Sequence, residues 1–155
     1  MNIFKSDATI HKLYLAGPFF NEEQRAVASL VEGLCEKAGV EYFSPRLKCC
    51  CPPDADDLQR SISFNMNKEA IRQCDIVLAN IDDFDAGTMW EMGYAYSFNK
   101  KIIAYSMVPG RGLNLMLAQS CQGFLNGEEN LANFLSNKGM VNWDVLKLKH
   151  EGAII

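Results

Sequence analysis

Short apolar runs and amphipathic stretches alternate along this chain. "KLYLAG" (12–17) is a brief apolar run closed by Gly-Pro and predicts a buried strand. In "NEEQRAVASLVEGLCEKAG" (21–39), Val27, Leu30, Val31, Leu34 and Cys35 recur at three- and four-residue spacing. That spacing predicts an amphipathic helix, with Asn21 as its N-cap and Gly39 as its stop. "VEYFSP" (40–45) reads as a second strand, and "RLKCCCPPDADD" (46–57), with paired prolines and clustered acids, as a loop. A helix over 58–74 places Ile62, Met66, Ala70 and Ile71 on one face, and "DIVLANI" (75–81) has the continuous apolar character of a strand buried on both sides. "DAGTMWEMGYAYSFNKK" (85–101) opens as a helix, and "KIIAYSM" (101–107) is another buried strand. A short helix (113–120), a last strand (121–126) and a last helix (127–137) complete the pattern before the tail "WDVLKLKHEGAII".

Strand and helix alternate throughout, which predicts an α/β fold: a parallel sheet, helices on both faces, right-handed crossovers. The 155 residues fit one domain over 1–155. In such sheets ligands sit beyond the C-terminal ends of the strands. Three stretches fall there: "YLAGPFFN", "NIDDFDAGTMWE" and "VPGRGLNLM".

Composition narrows the function. A net charge of −4 does not suit a nucleic-acid binder, which needs a basic face against phosphates. No apolar run approaches a membrane span, and the N-terminus lacks the h-region and cleavage site of a signal peptide, so a cytoplasmic protein is expected. Six cysteines (Cys35, Cys49, Cys50, Cys51, Cys74, Cys121) contain no C-x-x-C pair, and His11 and His150 lie far from the triplet, so no metal site is expected.

Chemistry concentrates in the helix from 85. Glu91 lies in an apolar stretch with no basic residue three or four positions away, beside Trp90. Its position alone fits either a surface glutamate or a carboxylate held for a ligand, since a poorly paired carboxylate is costly unless something uses it. Asp85 fits an N-cap or a second acid. Asp82 and Asp83 read as solvated loop acids, and "PGRG" (109–112) as a turn. Tyr14, inside the first strand, is core unless it aims its hydroxyl at the site. Two acids and a tyrosine without metal ligands suit glycosyl chemistry: one carboxylate attacks an anomeric carbon, another acid protonates the leaving group.

"KLYLAGPFFNEEQ", "CDIVLANIDDFDAGTMWEMGYAYSFNKKIIAY" and "LNLM", in that order over about 12–116, resemble the nucleoside 2-deoxyribosyltransferases, and "EGAII" is similar to the tail of some members. The resemblance implies a flavodoxin-like, doubly wound five-stranded parallel sheet. It implies 2-deoxyribosyl transfer between nucleobases without metal or cofactor, on a deoxynucleoside and a free base. By position Glu91 would be the nucleophile, Tyr14 its orienting partner and Asp85 the base-side acid. Asn114 would bind the 5′-hydroxyl in a neighbouring subunit's site; Phe19 or Phe20 would stack near the base. Gly17, Gly87 and Met116 would complete the substrate contacts, in a homo-oligomer built from dimers, expected to be a hexamer. Asn67 stands where many members carry a second base-side aspartate. The rivals are a related N-glycoside hydrolase acting on deoxynucleosides or deoxynucleotides, and a non-catalytic nucleoside-binding module. A magnesium-dependent receiver domain fits badly, because "GPFFNEE" rather than paired acids follows the first strand.

Overall fold

The computed structural model describes residues 12–49, 51–137 and 153–155. Cys50, His11 and His150 lie outside these, as does most of the tail. Five strands form one sheet in the order β2-β1-β3-β4-β5, and every pair is parallel. They are β1 (Lys12–Ala16), β2 (Glu41–Phe43), β3 (Ile76–Asn80), β4 (Lys101–Ser106) and β5 (Gly123–Asn126). This is the doubly wound, flavodoxin-like arrangement, with its switch point between β1 and β3.

The alternation of side chains along each strand divides the core in two. Leu13, Ile76, Leu78, Ile103 and Tyr105 face one side, under α1 (Glu22–Ala38) and α6 (Gly127–Ser136). Tyr14, Ala16, Val77, Ala79, Ile102 and Ala104 face the other, under α3 (Asp57–Gln73) and α4 (Ala86–Ser97). All five residues of β3 are buried, as its unbroken apolar run requires.

The helix boundaries follow their caps. Asn21 accepts from the Gln24 backbone N–H, and Gly39 ends α1 in the left-handed region at φ 66°. Asp56 and Gln59 form a reciprocal capping box at the start of α3. α4 stops at Ser97, short of the seventeen-residue stretch that opens it in sequence, and Asn99 turns the chain at φ 56° into β4. The 46–57 segment departs from a plain loop. Pro45 begins a one-turn helix, α2 (Pro45–Lys48), because its fixed φ suits a first helical position. That turn is anchored by Glu32 of α1, which accepts hydrogen bonds from the Ser44 hydroxyl and Arg46 guanidinium. A short helix, α5 (Leu115–Ser120), follows β4, and the Ala153–Ile155 end pairs with Leu113 and Leu115.

Because the sheet is parallel, α4 leaves the carboxyl end of β3 and runs back along the face that holds Tyr14. That route carries Glu91, in its second turn, down toward the middle of β1.

Candidate active site

Tyr14 is the third residue of β1 and is fully buried, its ring stacked on Phe43 at 5.7 Å. Its hydroxyl donates to Glu91 Oε1 at 2.6 Å. The two residues are 77 positions apart in sequence, and only the β1–β3–α4 geometry brings them together. Among the described residues no cation pairs with Glu91, and its Oε2 has no hydrogen-bond partner. The carboxylate is therefore held by one oxygen and left open at the other.

Its surroundings set its acidity. Burial pushes Glu91 up from 4.5 to about 7; the Tyr14 hydrogen bond works against this, and the nearby Asp85 charge adds to it. Burial, then the charge and hydrogen bond of Glu91, raise the Tyr14 phenol far above its ordinary range, so it remains a donor. A carboxylate poised near neutrality beside a neutral donor suits a nucleophile better than a structural ion.

Asp85 is the N-cap of α4. Its Oδ2 accepts from the Thr88 backbone N–H at 2.8 Å and from the Thr88 hydroxyl at 2.9 Å. Capping occupies one oxygen and leaves Oδ1 available, so the two readings of this residue are compatible. Gly87 belongs to the same cap: a Cβ there would lie 3.2 Å from Asp85 Oδ2. Gly17 makes a second close approach, since a Cβ would come within 3.0 Å of the Asn80 Cβ.

The remaining candidates stand around this pair at different removes. Asn67 sits one turn before the buried Ala70 and Ile71, and its Oδ1 is enclosed without a hydrogen-bond partner. The Phe64–Trp90 contact at 5.3 Å and the Arg72 Nε–Tyr94 hydroxyl bond at 2.9 Å bracket Asn67 at the level of Glu91 on α4. Phe19 and Phe20 stack on each other at 5.4 Å in the loop after β1, with Phe20 71% exposed. Asn114 is exposed and caps α5 through the Met116 N–H; Met116 itself is 75% exposed. Among the described residues nothing covers these last two.

One reading changes. Asp82 is fastened rather than solvated: it accepts from the Ser106 hydroxyl and Met107 N–H and pairs with Arg111 of the 109–112 turn. Asp83 is an exposed loop acid as expected, and it also accepts from Gln24. A pair of adjacent acids in a loop carries no sequence signal for such partners. Cys49 is buried near Tyr14, close enough that its charge would oppose ionisation of the phenol, whereas Cys51 is exposed. Among the described residues no cluster of three or more His, Cys, Asp or Glu is placed to hold a metal ion, and no helix is long and apolar enough to cross a membrane. A separate cleft lies on the α1 face of the sheet, walled by Glu32, Ser44, Arg46, Asn80 and Tyr105; Tyr14, Asp85 and Glu91 do not line it.

A flavodoxin-like sheet with an oriented, enclosed carboxylate below its ligand-bearing edge places the molecule among doubly wound α/β proteins with an acidic site. The chain belongs to the nucleoside 2-deoxyribosyltransferase family, whose model matches residues 13–124. It is similar to the 2-deoxyribosyltransferase of Bacillus psychrosaccharolyticus, at 30% identity and a TM-score of 0.74 over 90% of this chain and 98% of that one. A 2-deoxyribosyltransferase from Leishmania mexicana matches at 26% identity and a TM-score of 0.50, over 63% of this chain and 65% of its own. A CMP N-glycosidase from Clostridium botulinum shares the fold at 18% identity and a TM-score of 0.53, over 81% and 96% of the two chains. Comparison with curated proteins finds no match.

The raised acidity constant of Glu91 has a consequence for stability. Between pH 4.5 and about 7 the unfolded chain has lost this proton while the folded chain keeps it, so its contribution falls as pH rises through that window. Glu91→Gln abolishes the titration and keeps a carbonyl acceptor for Tyr14. The variant should be more stable than wild type above pH 7 by on the order of 1–3 kcal/mol, with the difference closing toward pH 4.5. Denaturant unfolding of both proteins across pH reads this directly; a difference independent of pH would contradict the burial of the charge.

Proposed function

We propose that the protein transfers a 2-deoxyribosyl group between nucleobases through a covalent ester on Glu91. The observation that carries this reading is the Tyr14–Glu91 pair: a carboxylate near neutral acidity, oriented at one oxygen and unpartnered at the other. Family membership gives the class of reaction, and the site gives a way to perform it.

In the first step Glu91 Oε2 forms a bond to C1′ as the C1′–N bond breaks. The released electron pair stays on the base nitrogen, which takes a proton from the Asp85 carboxylic acid. In the second step a nitrogen of the incoming base attacks C1′, the ester bond breaks, and the nitrogen's proton returns to Asp85. Two inversions retain the β configuration. The transition states resemble an oxocarbenium ion, so the carboxylate also stabilises developing positive charge. Tyr14 lowers the freedom of the nucleophile and stabilises its ionised form. Asn67 and the Phe19–Phe20 pair supply contacts to the base in this scheme, with Gly17 and Gly87 allowing close approach.

Asn114 is assigned to a neighbouring subunit's site, with Met116 among the substrate contacts beside it, and this requires an oligomer, expected to be a hexamer built from dimers. Their exposure supports this, as does the ladder of Phe64, Trp90, Tyr94 and Phe98 across α3 and α4, where Phe64, Trp90 and Phe98 each remain more than 40% exposed.

Incubating a deoxynucleoside with a second free base tests the activity: chromatography should show a new deoxynucleoside. Free deoxyribose alone would make water the acceptor and the protein an N-glycoside hydrolase; no change across a panel of bases would leave a binding module. Glu91→Ala should lower turnover by at least about a thousandfold with the fold intact, and quenched wild type should carry a deoxyribosyl mass on the peptide containing Glu91. Asp85→Asn separates capping from proton delivery. Natural purine deoxynucleosides should slow by about a hundredfold or more, while a substrate whose leaving group needs no proton should slow far less. Equal losses would reduce Asp85 to its cap.

Complementation tests the shared site. Glu91→Ala and Asn114→Ala chains, each nearly inactive, should regain part of the activity when mixed through unfolding and refolding. One site of a mixed pair is then wholly wild type. Confirmed chain exchange without recovered activity would place Asn114 in its own chain's site or outside catalysis.

A further inference from the structure

The segment that leads into α4 is strained in a way the reaction scheme does not use. Asp83 and Phe84 are consecutive non-glycine residues in the left-handed region, at φ 65° and 46°. Such conformations are uncommon for L-residues and persist where surrounding contacts hold them. The contact at Asp83 is specific. Its Oδ2 accepts from Gln24 Nε2 at 2.9 Å, and the other end of the same amide, Gln24 Oε1, accepts from the Phe20 backbone N–H at 2.8 Å. Gln24 is itself fixed in the first turn of α1, its backbone N–H donating to the Asn21 cap at 2.8 Å.

One side-chain amide therefore spans two loops, from the Phe20 backbone to the strained turn after β3. An amide suits this role because it offers a donor and an acceptor at fixed separation. Phe20 needs such a tether: its ring is 71% exposed, and Phe19 is its aromatic neighbour. Among the described residues the other side-chain hydrogen bond to this pair is the longer one from Arg25 Nη1 to the Phe19 carbonyl, at 3.4 Å, so the Gln24 tether is the tighter hold on its height above the sheet edge. With it, that height is referred to the turn that also launches Asp85 and Glu91.

We propose that Gln24 and Asp83 form a positioning pair that sets Phe20 relative to the Glu91 helix, so that the ring meets the planar base of the substrate. This rests on the transfer reading above for the identity of the substrate. The pair touches no reacting atom; it acts through the backbone of Phe20 on binding, and the strain at Asp83 is retained because relaxing the turn would move the carboxylate away from Gln24.

A double-mutant cycle tests it. Asp83→Gly accepts the left-handed φ without strain and removes the carboxylate, so its melting temperature should equal or exceed that of wild type. Its KM for a deoxynucleoside should rise about three- to tenfold, the range of one or two modest hydrogen bonds, with little change in kcat. Gln24→Leu should raise KM at least as much, and the double variant no further than Gln24→Leu alone. Asp83→Asn keeps both tolerance of the left-handed region and an acceptor, and should restore a nearly wild-type KM. Amide exchange at Phe20 should quicken in Asp83→Gly and Gln24→Leu. Multiplying KM effects, or unchanged KM and unchanged exchange in the single variants, would overturn the proposal. If the wild type processes no deoxynucleoside, the transfer reading fails, and exchange at Phe20 alone decides: acceleration in both variants supports the tether, and none refutes it.

Discussion

The Tyr14–Glu91 hydrogen bond is the constraint around which the rest of the site is arranged. It joins the central face of β1 to the second turn of α4 and does so at a half-buried position, where a carboxylate without a counter-charge is costly. Raising Glu91 to about 7 corresponds to a penalty of about 3 kcal/mol for the charged form at higher pH, a sizeable part of the 5–15 kcal/mol by which domains are ordinarily stable. The Tyr14 hydroxyl already holds that penalty below what burial alone would impose. A lysine or arginine in its place would offset more, but would hold the carboxylate ionised and occupied. A neutral donor orients the group without neutralising it.

The sheet makes this arrangement possible without special local structure. Tyr14 points to the α3–α4 face because residues alternate along β1, and its ring is clamped by Phe43 from β2. Shifting β1 by one residue would send Tyr14 to the α1 face and Leu13 or Leu15 to Glu91. The register of β1 against β3, which aligns Tyr14 with Val77, is thus what brings the pair together. Asp85 caps the helix that delivers Glu91, so the cap and the second carboxylate are one residue, and any change there is felt in both.

Most of this architecture was legible in the chain. The continuous apolar run of β3, the three- and four-residue spacing of α1, and the Asn21 and Gly39 signals each gave their element within one or two residues, because local burial and capping decide them. Glu91 was visible as a carboxylate without a basic neighbour, and Tyr14 as a strand tyrosine of two possible uses. Their pairing was not visible locally, since it depends on strand register and helix direction across 77 positions. The same applies to Asp82: an acid in a loop looks solvated until the end of β4 is folded against it. The α2 turn was missed because its signal, Pro45 at a first helical position, is outweighed by the cysteines and prolines that follow.

Asn67 bears on the proposed proton path. Its Oδ1 is enclosed without a partner, and leaving a buried acceptor unpaired costs about 1–3 kcal/mol. A carboxylic acid at this level of α3 could both accept from a base and donate a proton to it; an amide can do the first and can only share, never release, its hydrogens. In the transfer scheme, then, the proton that leaves with one base and returns from the next has a single carboxyl carrier, Asp85. That carrier already spends one oxygen on the Thr88 N–H and hydroxyl. In that scheme the oxygen left outside the cap, Oδ1, is the one open to the base. Capping, ordinarily a matter of helix stability, would in that scheme also select the carboxyl oxygen that faces the base.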